Sequence, residues 1–272
     1  MPNRCLYAFI LSFLAGISTV IGALVIFFDK RKNNKIVEVS LSFASGVMMC
    51  VSLTDLLPNS FKMILDNNNL FPKIILSLIF MTFGIIISML IDKYLPDNNL
   101  NTDNNLNTDN NLNTDNNLNT DNKSLYKIGI ISMVAIVLHN IPEGIATFIT
   151  SNNNLKLGIT LTIAIALHNI PEGISIAVPI YHSSNNKLKA FLYALLSGMS
   201  EVLGSILAYL FLAPLINDHV MAALYAIIAG IMIHISVYEL IPGAYKEGTL
   251  KSVLKYFLIG FGVMILSHLL MN

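Results

Sequence analysis

Apolar residues are concentrated in eight stretches, at about 5–28, 36–57, 72–95, 126–150, 157–180, 187–212, 218–241 and 250–271. Each is close to the roughly 20 residues that an α-helix needs to cross a bilayer. The pattern predicts an all-α membrane protein, eight transmembrane helices in a single polytopic domain over residues 1–272. The first stretch is longer than the roughly 7–15 apolar residues of a signal peptide and lacks a convincing cleavage site, so it is expected to remain as a span. Pro58, Pro96 and Pro242 fall at predicted helix ends, where a missing N–H costs little.

One long segment is hydrophilic. From Asp97 to Thr120 the hexapeptide Asp-Asn-Asn-Leu-Asn-Thr runs four times. With one leucine per repeat it cannot bury enough apolar surface to fold alone, so 97–122 is expected to be a disordered Asn-rich loop between the third and fourth helices. The repeat contains no histidine, which argues against a metal-collecting role.

The charges give an orientation. Of 16 lysines and arginines, twelve fall on one side: Lys30, Arg31, Lys32, Lys35, Lys93, Lys123, Lys127, Lys187, Lys189, Lys246, Lys251 and Lys255. The other side holds Arg4, Lys62, Lys73 and Lys156. Cytoplasmic loops carry the excess of positive charge, so both termini are expected to be extracellular and the repeat loop cytoplasmic. Charged residues make up only 12% of the chain and its formal net charge is zero. That balance gives nucleic acid no basic surface. No Walker A pattern is present, which removes nucleotide as a partner and ATP-driven pumping by this chain alone. Cys5 and Cys50 lack ligand-spaced neighbours and read as packing residues.

The chemistry lies in a repeat. Leu138–Ile145 recurs unchanged as Leu167–Ile174, and both copies contain His-Asn-Ile-Pro-Glu-Gly. Ionisable side chains inside a bilayer are costly and usually functional. Only Ser151–Lys156 joins the two spans, so they should form an antiparallel hairpin. His139 and His168 stand at equal distances from its centre, roughly 22 Å along the helices. Residues i, i+3 and i+4 share a helix face, so His139 and Asn140 converge with Glu143, and His168 and Asn169 with Glu172. Imidazole, carboxylate and amide oxygen suit Zn(II), Fe(II), Mn(II) or Co(II) better than Ca(II) or Cu(I). A set without thiolate should release its ion, as a carrier must and a structural site must not. Pro142 and Pro171 remove the hydrogen bonds to Leu138 and Leu167, and a kink is expected at each.

A second repeat relates spans two and seven. Gly46–Pro58 aligns without gaps on Gly230–Pro242, sharing glycine, methionine, serine, an acid, leucine and proline. By the charge count these segments run in opposite directions, as in inverted-topology carriers. Asp55 is then expected near the outer mouth of the path and Glu239 near the inner mouth.

The paired His-Asn-Ile-Pro-Glu-Gly motifs, with Phe43–Met48, Ser197–Gly204 and Ala229–Met232, resemble the ZIP (Zrt/Irt-like) family of divalent metal transporters over nearly the whole chain outside the Asn-rich loop. The resemblance implies eight spans, both termini outside, a cell-membrane location and a two-metal centre. One ion would use His139, Glu143, His168 and Glu172. The other would use Asn140, Glu143, Asn169, Glu172 and Glu201, with Glu143 and Glu172 bridging. It further implies Zn(II) import with some breadth toward Fe(II), Mn(II), Co(II) or Cd(II), no resident cofactor, and frequent assembly as homodimers. Tyr238 and His234 depart from the usual pattern, and both are candidates for altered selectivity or wetting of the path. Met48 is a candidate soft outer ligand, although core packing is the better reading for a methionine on an apolar helix. A metal-selective channel is the alternative. A metalloenzyme fits poorly, because an intramembrane protease wants HExxH and a di-iron carboxylate site wants Glu-x-x-His.

Overall fold

The computed structural model describes residues 2–28, 33–64, 70–94, 114–212 and 217–271. Among these are eight helices long and apolar enough to cross a membrane: α1 (Arg4–Phe28), α2 (Asn34–Met63), α3 (Phe71–Tyr94), α4 (Lys123–Asn153), α5 (Leu155–Ser184), α6 (Lys187–Leu210), α7 (Asp218–Glu247) and α8 (Leu250–Leu269). All eight predicted spans are present, and no strand occurs among the described residues.

The connections follow from local chemistry. Asn154 alone separates α4 from α5, and its Oδ1 accepts the Lys156 and Leu157 amides at 3.1 and 3.3 Å. That satisfies donors which the first turn of α5 would otherwise leave unpaired, and the hairpin is tight. Between α5 and α6, Asn185 adopts the left-handed conformation (φ 54°) and Asn186 caps the next helix through the Lys189 amide at 2.9 Å.

One expectation is corrected. Pro58 and Pro242 do not end their helices, because α2 continues to Met63 and α7 to Glu247. Each proline follows a π-helical turn, Ser52–Leu56 in α2 and Ser236–Leu240 in α7. The widened turn gives the ring room that a regular α-helix denies it. The Leu57 amide reaches back to the Ser52 carbonyl, and the Ile241 amide likewise to Ser236. Pro142 and Pro171 also sit within unbroken helices. Residues 97–113 of the Asn-rich repeat lie outside the described residues, as does Pro96, while the backbone from Thr114 is helical and runs on into α4.

In the most apolar windows of α3 and α8 only 17% of residues are buried, against 72% for α2 and 67% for α4. The outer pair therefore faces lipid, and the others enclose the interior. Lipid provides no hydrophobic drive between helices, so close packing must hold them together, and small residues permit it. Gly46 of α2 packs on the Phe257 carbonyl of α8, and its counterpart Gly230 of α7 packs on the Met81 carbonyl of α3. Gly173 of α5 rests on the Thr19 carbonyl of α1, as Gly144 of α4 rests on the Glu201 carbonyl of α6. In every case an added Cβ would overlap backbone oxygen. The α2–α8 and α5–α1 pairings thus reappear as α7–α3 and α4–α6, which extends the inverted repeat to the whole bundle.

Candidate metal centre

The hairpin brings the two motifs together as their equal spacing from the connection predicts. His139 Nε2 lies 3.1 Å from Glu143 Oε1 and 3.5 Å from Glu172 Oε1. His168 Nε2 lies 2.9 Å from the same Glu143 oxygen. The imidazole centroids are 6.0 Å apart. One donor atom each from His139, Glu143 and His168 fall within 4.8 Å of one another, a span that one cation can bridge. All four side chains are buried, with Glu172 fully so.

The asparagines are aimed by the neighbouring helices. Asn140 Nδ2 donates to the Ser197 carbonyl of α6, and Asn169 Nδ2 to the Ala15 carbonyl of α1, both at 3.1 Å. With each amide nitrogen committed, each Oδ1 is left buried and unpaired. Glu201 meets the group from α6, accepting a 2.8 Å hydrogen bond from Asn169 Nδ2. Glu143 Oε2, Glu172 Oε2 and Glu201 Oε2 are likewise buried without a hydrogen-bond partner. Three carboxylates and two amide oxygens left bare at membrane depth would be costly in an empty protein. A divalent cation supplies both the charge and the coordination they lack. Contacts gather His139, Glu143, His168 and Glu172, with the Asn169–Glu201 pair beside them, while Asn140 follows His139 in α4 and is held by α6.

A cavity leads to it from the end of the bundle that carries the α4–α5 connection. A chamber of ≈ 480 Å³ is lined by Asp55, Asn59, Thr160, Leu161 and His268, among others. It shares Asp55, Asn59, Leu161 and Ala164 with a narrower space of ≈ 50 Å³ that ends on Glu143 and His168. Asp55, held by Asn59 Nδ2 at 2.7 Å, thus lies on the way to the centre. Glu239 sits at the opposite end beside Asp92, and Asp92 pairs with Lys127 at 2.8 Å.

The remaining candidates lie apart. His234 accepts or donates to Ser88 Oγ through Nδ1 at 2.9 Å and stacks on Tyr238 with centroids 4.8 Å apart. Met48 is 1% exposed and belongs to the apolar core around Met232 and Ile176, where it packs. Asp92 escaped the sequence reading, and Lys127 entered it only as a loop charge, although an acid at the end of an otherwise apolar α3 was a visible signal.

The profile of the ZIP zinc transporter family matches residues 3–121 and 96–269. The chain is a member of that family. ZIP membership carries with it a multi-pass membrane protein that transports rather than catalyses. Among curated proteins the chain is 38% identical over 276 residues to the zinc transporter ZupT of Clostridium perfringens, covering 98% of this chain and 97% of that protein. It is 38% identical to the zinc transporter ZupT of Campylobacter jejuni, over 96% and 94% of the two chains. Against that of Escherichia coli O7:K1 the identity is 37%, over 86% and 84%. These alignments cover most of each chain, so the likeness is not confined to the paired motifs.

Proposed function

We propose that the chain is a carrier that imports Zn(II) into the cytoplasm across the cell membrane, through a binuclear centre at the crossing of α4 and α5. One observation bears most of the weight: His139, Glu143, His168 and Glu172 converge in a buried cluster whose free oxygens call for a cation, at the closed end of a path from one face. The zinc transporter names of its full-length relatives support zinc as cargo. The first ion is held by His139, Glu143, His168 and Glu172. The second is held by Asn140, Glu143, Asn169, Glu172 and Glu201, with Glu143 and Glu172 shared. The Lys and Arg distribution supports the open end being extracellular, so that Asp55 receives the ion and Glu239 releases it. Nitrogen and oxygen donors without thiolate extend the range to Fe(II), Mn(II), Co(II) and Cd(II). Homodimeric assembly rests on the family resemblance alone.

The test is radiolabelled zinc uptake into proteoliposomes, with competing metals, comparing the unaltered chain with Glu143→Ala and Glu172→Ala. Saturable uptake that both substitutions abolish is expected. Undiminished flux in both variants would refute the site, and non-saturable single-channel currents would replace the carrier with a channel.

A further inference from the structure

Glu201 has a counterpart on α1, and it is Thr19. In sequence, Gly16-Ile-Ser-Thr-Val-Ile-Gly22 runs parallel to Gly198-Met-Ser-Glu-Val-Leu-Gly204. The structure repeats the correspondence contact by contact. The Ala15 carbonyl accepts Asn169 Nδ2 as the Ser197 carbonyl accepts Asn140 Nδ2, at 3.1 Å in both. Ser18 Oγ donates to Ala15 as Ser200 Oγ donates to Ser197, at 2.5 Å in both. Gly22 packs on the Ile170 carbonyl as Gly204 packs on that of Ile141. Where α1 and α6 cross, Gly16 and Gly198 each lie on the other's carbonyl oxygen. A Cβ at Gly198 would stand 3.1 Å from Thr19 Cβ, and one at Gly16 would stand 3.5 Å from Glu201 Cβ. The two side chains therefore leave their helices from equivalent points at this crossing.

They differ in what they deliver. Glu201 accepts a hydrogen bond from Asn169, whereas the shorter Thr19 makes none to Asn140, its mirror partner. Thr19 is 0% exposed and its Oγ1 has no hydrogen-bond partner, although a helical threonine commonly bonds the carbonyl one turn back. Asn140 Oδ1, also fully buried, is unpaired as well. Two buried neutral oxygens are thus left free at the positions that mirror Glu201 and Asn169.

We infer that Thr19 is an unrecognised metal-site residue: its hydroxyl gives the second ion a neutral oxygen on the Asn140 side, opposite Glu201. The inference rests on the binuclear reading above and adds a donor from α1. It gives the centre one charged flank and one neutral flank. A second flanking carboxylate would hold the ion more tightly and slow its departure, which a carrier must avoid.

The test is equilibrium dialysis of the intact, detergent-purified chain against labelled Zn(II), comparing wild type with Thr19→Val and Thr19→Ser. Valine keeps the shape and removes the hydroxyl, and serine restores it. Metal-free melting followed by circular dichroism confirms that each variant is folded. The expected result is two bound ions in wild type and Thr19→Ser, with the weaker one bound about tenfold less tightly in Thr19→Val, the scale of a lost supporting oxygen. Unchanged binding in Thr19→Val, or equal loss in both variants, overturns the inference alone. Fewer than two ions in wild type overturns the binuclear reading, and this one with it.

Discussion

Gly144 offers the sharpest separation of packing from metal chemistry. A Cβ there would overlap the Glu201 carbonyl oxygen, which is backbone and cannot rotate aside. Restoring ordinary contact requires α4 and α6 to part by about 1.5 Å, and overpacking of that kind costs about 1–3 kcal/mol. Glu143 is adjacent in sequence and Glu201 carries the carbonyl, so the separation falls on two residues of the proposed centre at once. Sites of this sort tolerate about 0.5 Å of error, so Gly144→Ala should lower zinc affinity by about tenfold or more. Gly173→Ala makes the equivalent overlap with the Thr19 carbonyl. It should cost similar stability but less affinity, because the displaced flank is neutral. The comparison needs uptake at equal reconstituted protein and melting by circular dichroism, since the chain has no tryptophan to report unfolding. Gly144→Ala with wild-type melting and wild-type uptake would refute the helix contact, and equal affinity losses in the two variants would refute the asymmetry.

Three further outcomes are expected. Asp55→Asn should raise the zinc concentration for half-maximal uptake while leaving the maximal rate within about twofold, since the residue lies on the approach and outside the centre; a collapse of the maximal rate would contradict that placement. Zinc binding should weaken as pH falls toward about 5, because histidine and carboxylate ligands must be deprotonated to bind; dialysis across pH 5–8 at fixed free zinc checks the sign. Lys127→Met removes an ion pair that is one-third exposed on both sides, so stability should change by less than about 1 kcal/mol. Thiol labelling of a cysteine introduced at Ser88 should nevertheless accelerate if the pair fastens α3 to α4, and unchanged labelling would reject that role.

Much of this protein was legible in its sequence, for physical reasons. Lipid demands long apolar helices, so the eight spans stood out. An eight-residue identity containing His, Asn and Glu has few uses in a membrane, and equal spacing from a short connection set both copies at one depth. The prolines misled because their effect depends on the turn before them. Nothing in Ser-Leu-Thr-Asp-Leu announces that Ser52–Leu56 widens, and with the widening α2 passes through Pro58 unbroken. Glu201 came from resemblance, and its match to Thr19 was missed because Thr and Glu share no chemistry. Four positions shared by the two segments, two glycines, a serine and a valine, carried the signal. The Asp92–Lys127 pair joins residues of two helices separated by the Asn-rich repeat, and no local pattern links them.

The doubled architecture has a thermodynamic corollary. If every helix contact has an inverted twin, the inward-open arrangement can be made from the outward-open one by exchanging the roles of the halves, and the two would be equal in energy for a perfect duplicate. Any preference must then reside in the mismatched couples, Thr19 against Glu201 among them, and Asp92 against His268 in the register fixed by Gly84 and Gly260. Exchanging Asp92 with His268, neither of them a residue of the metal centre, should reset which way the empty protein rests.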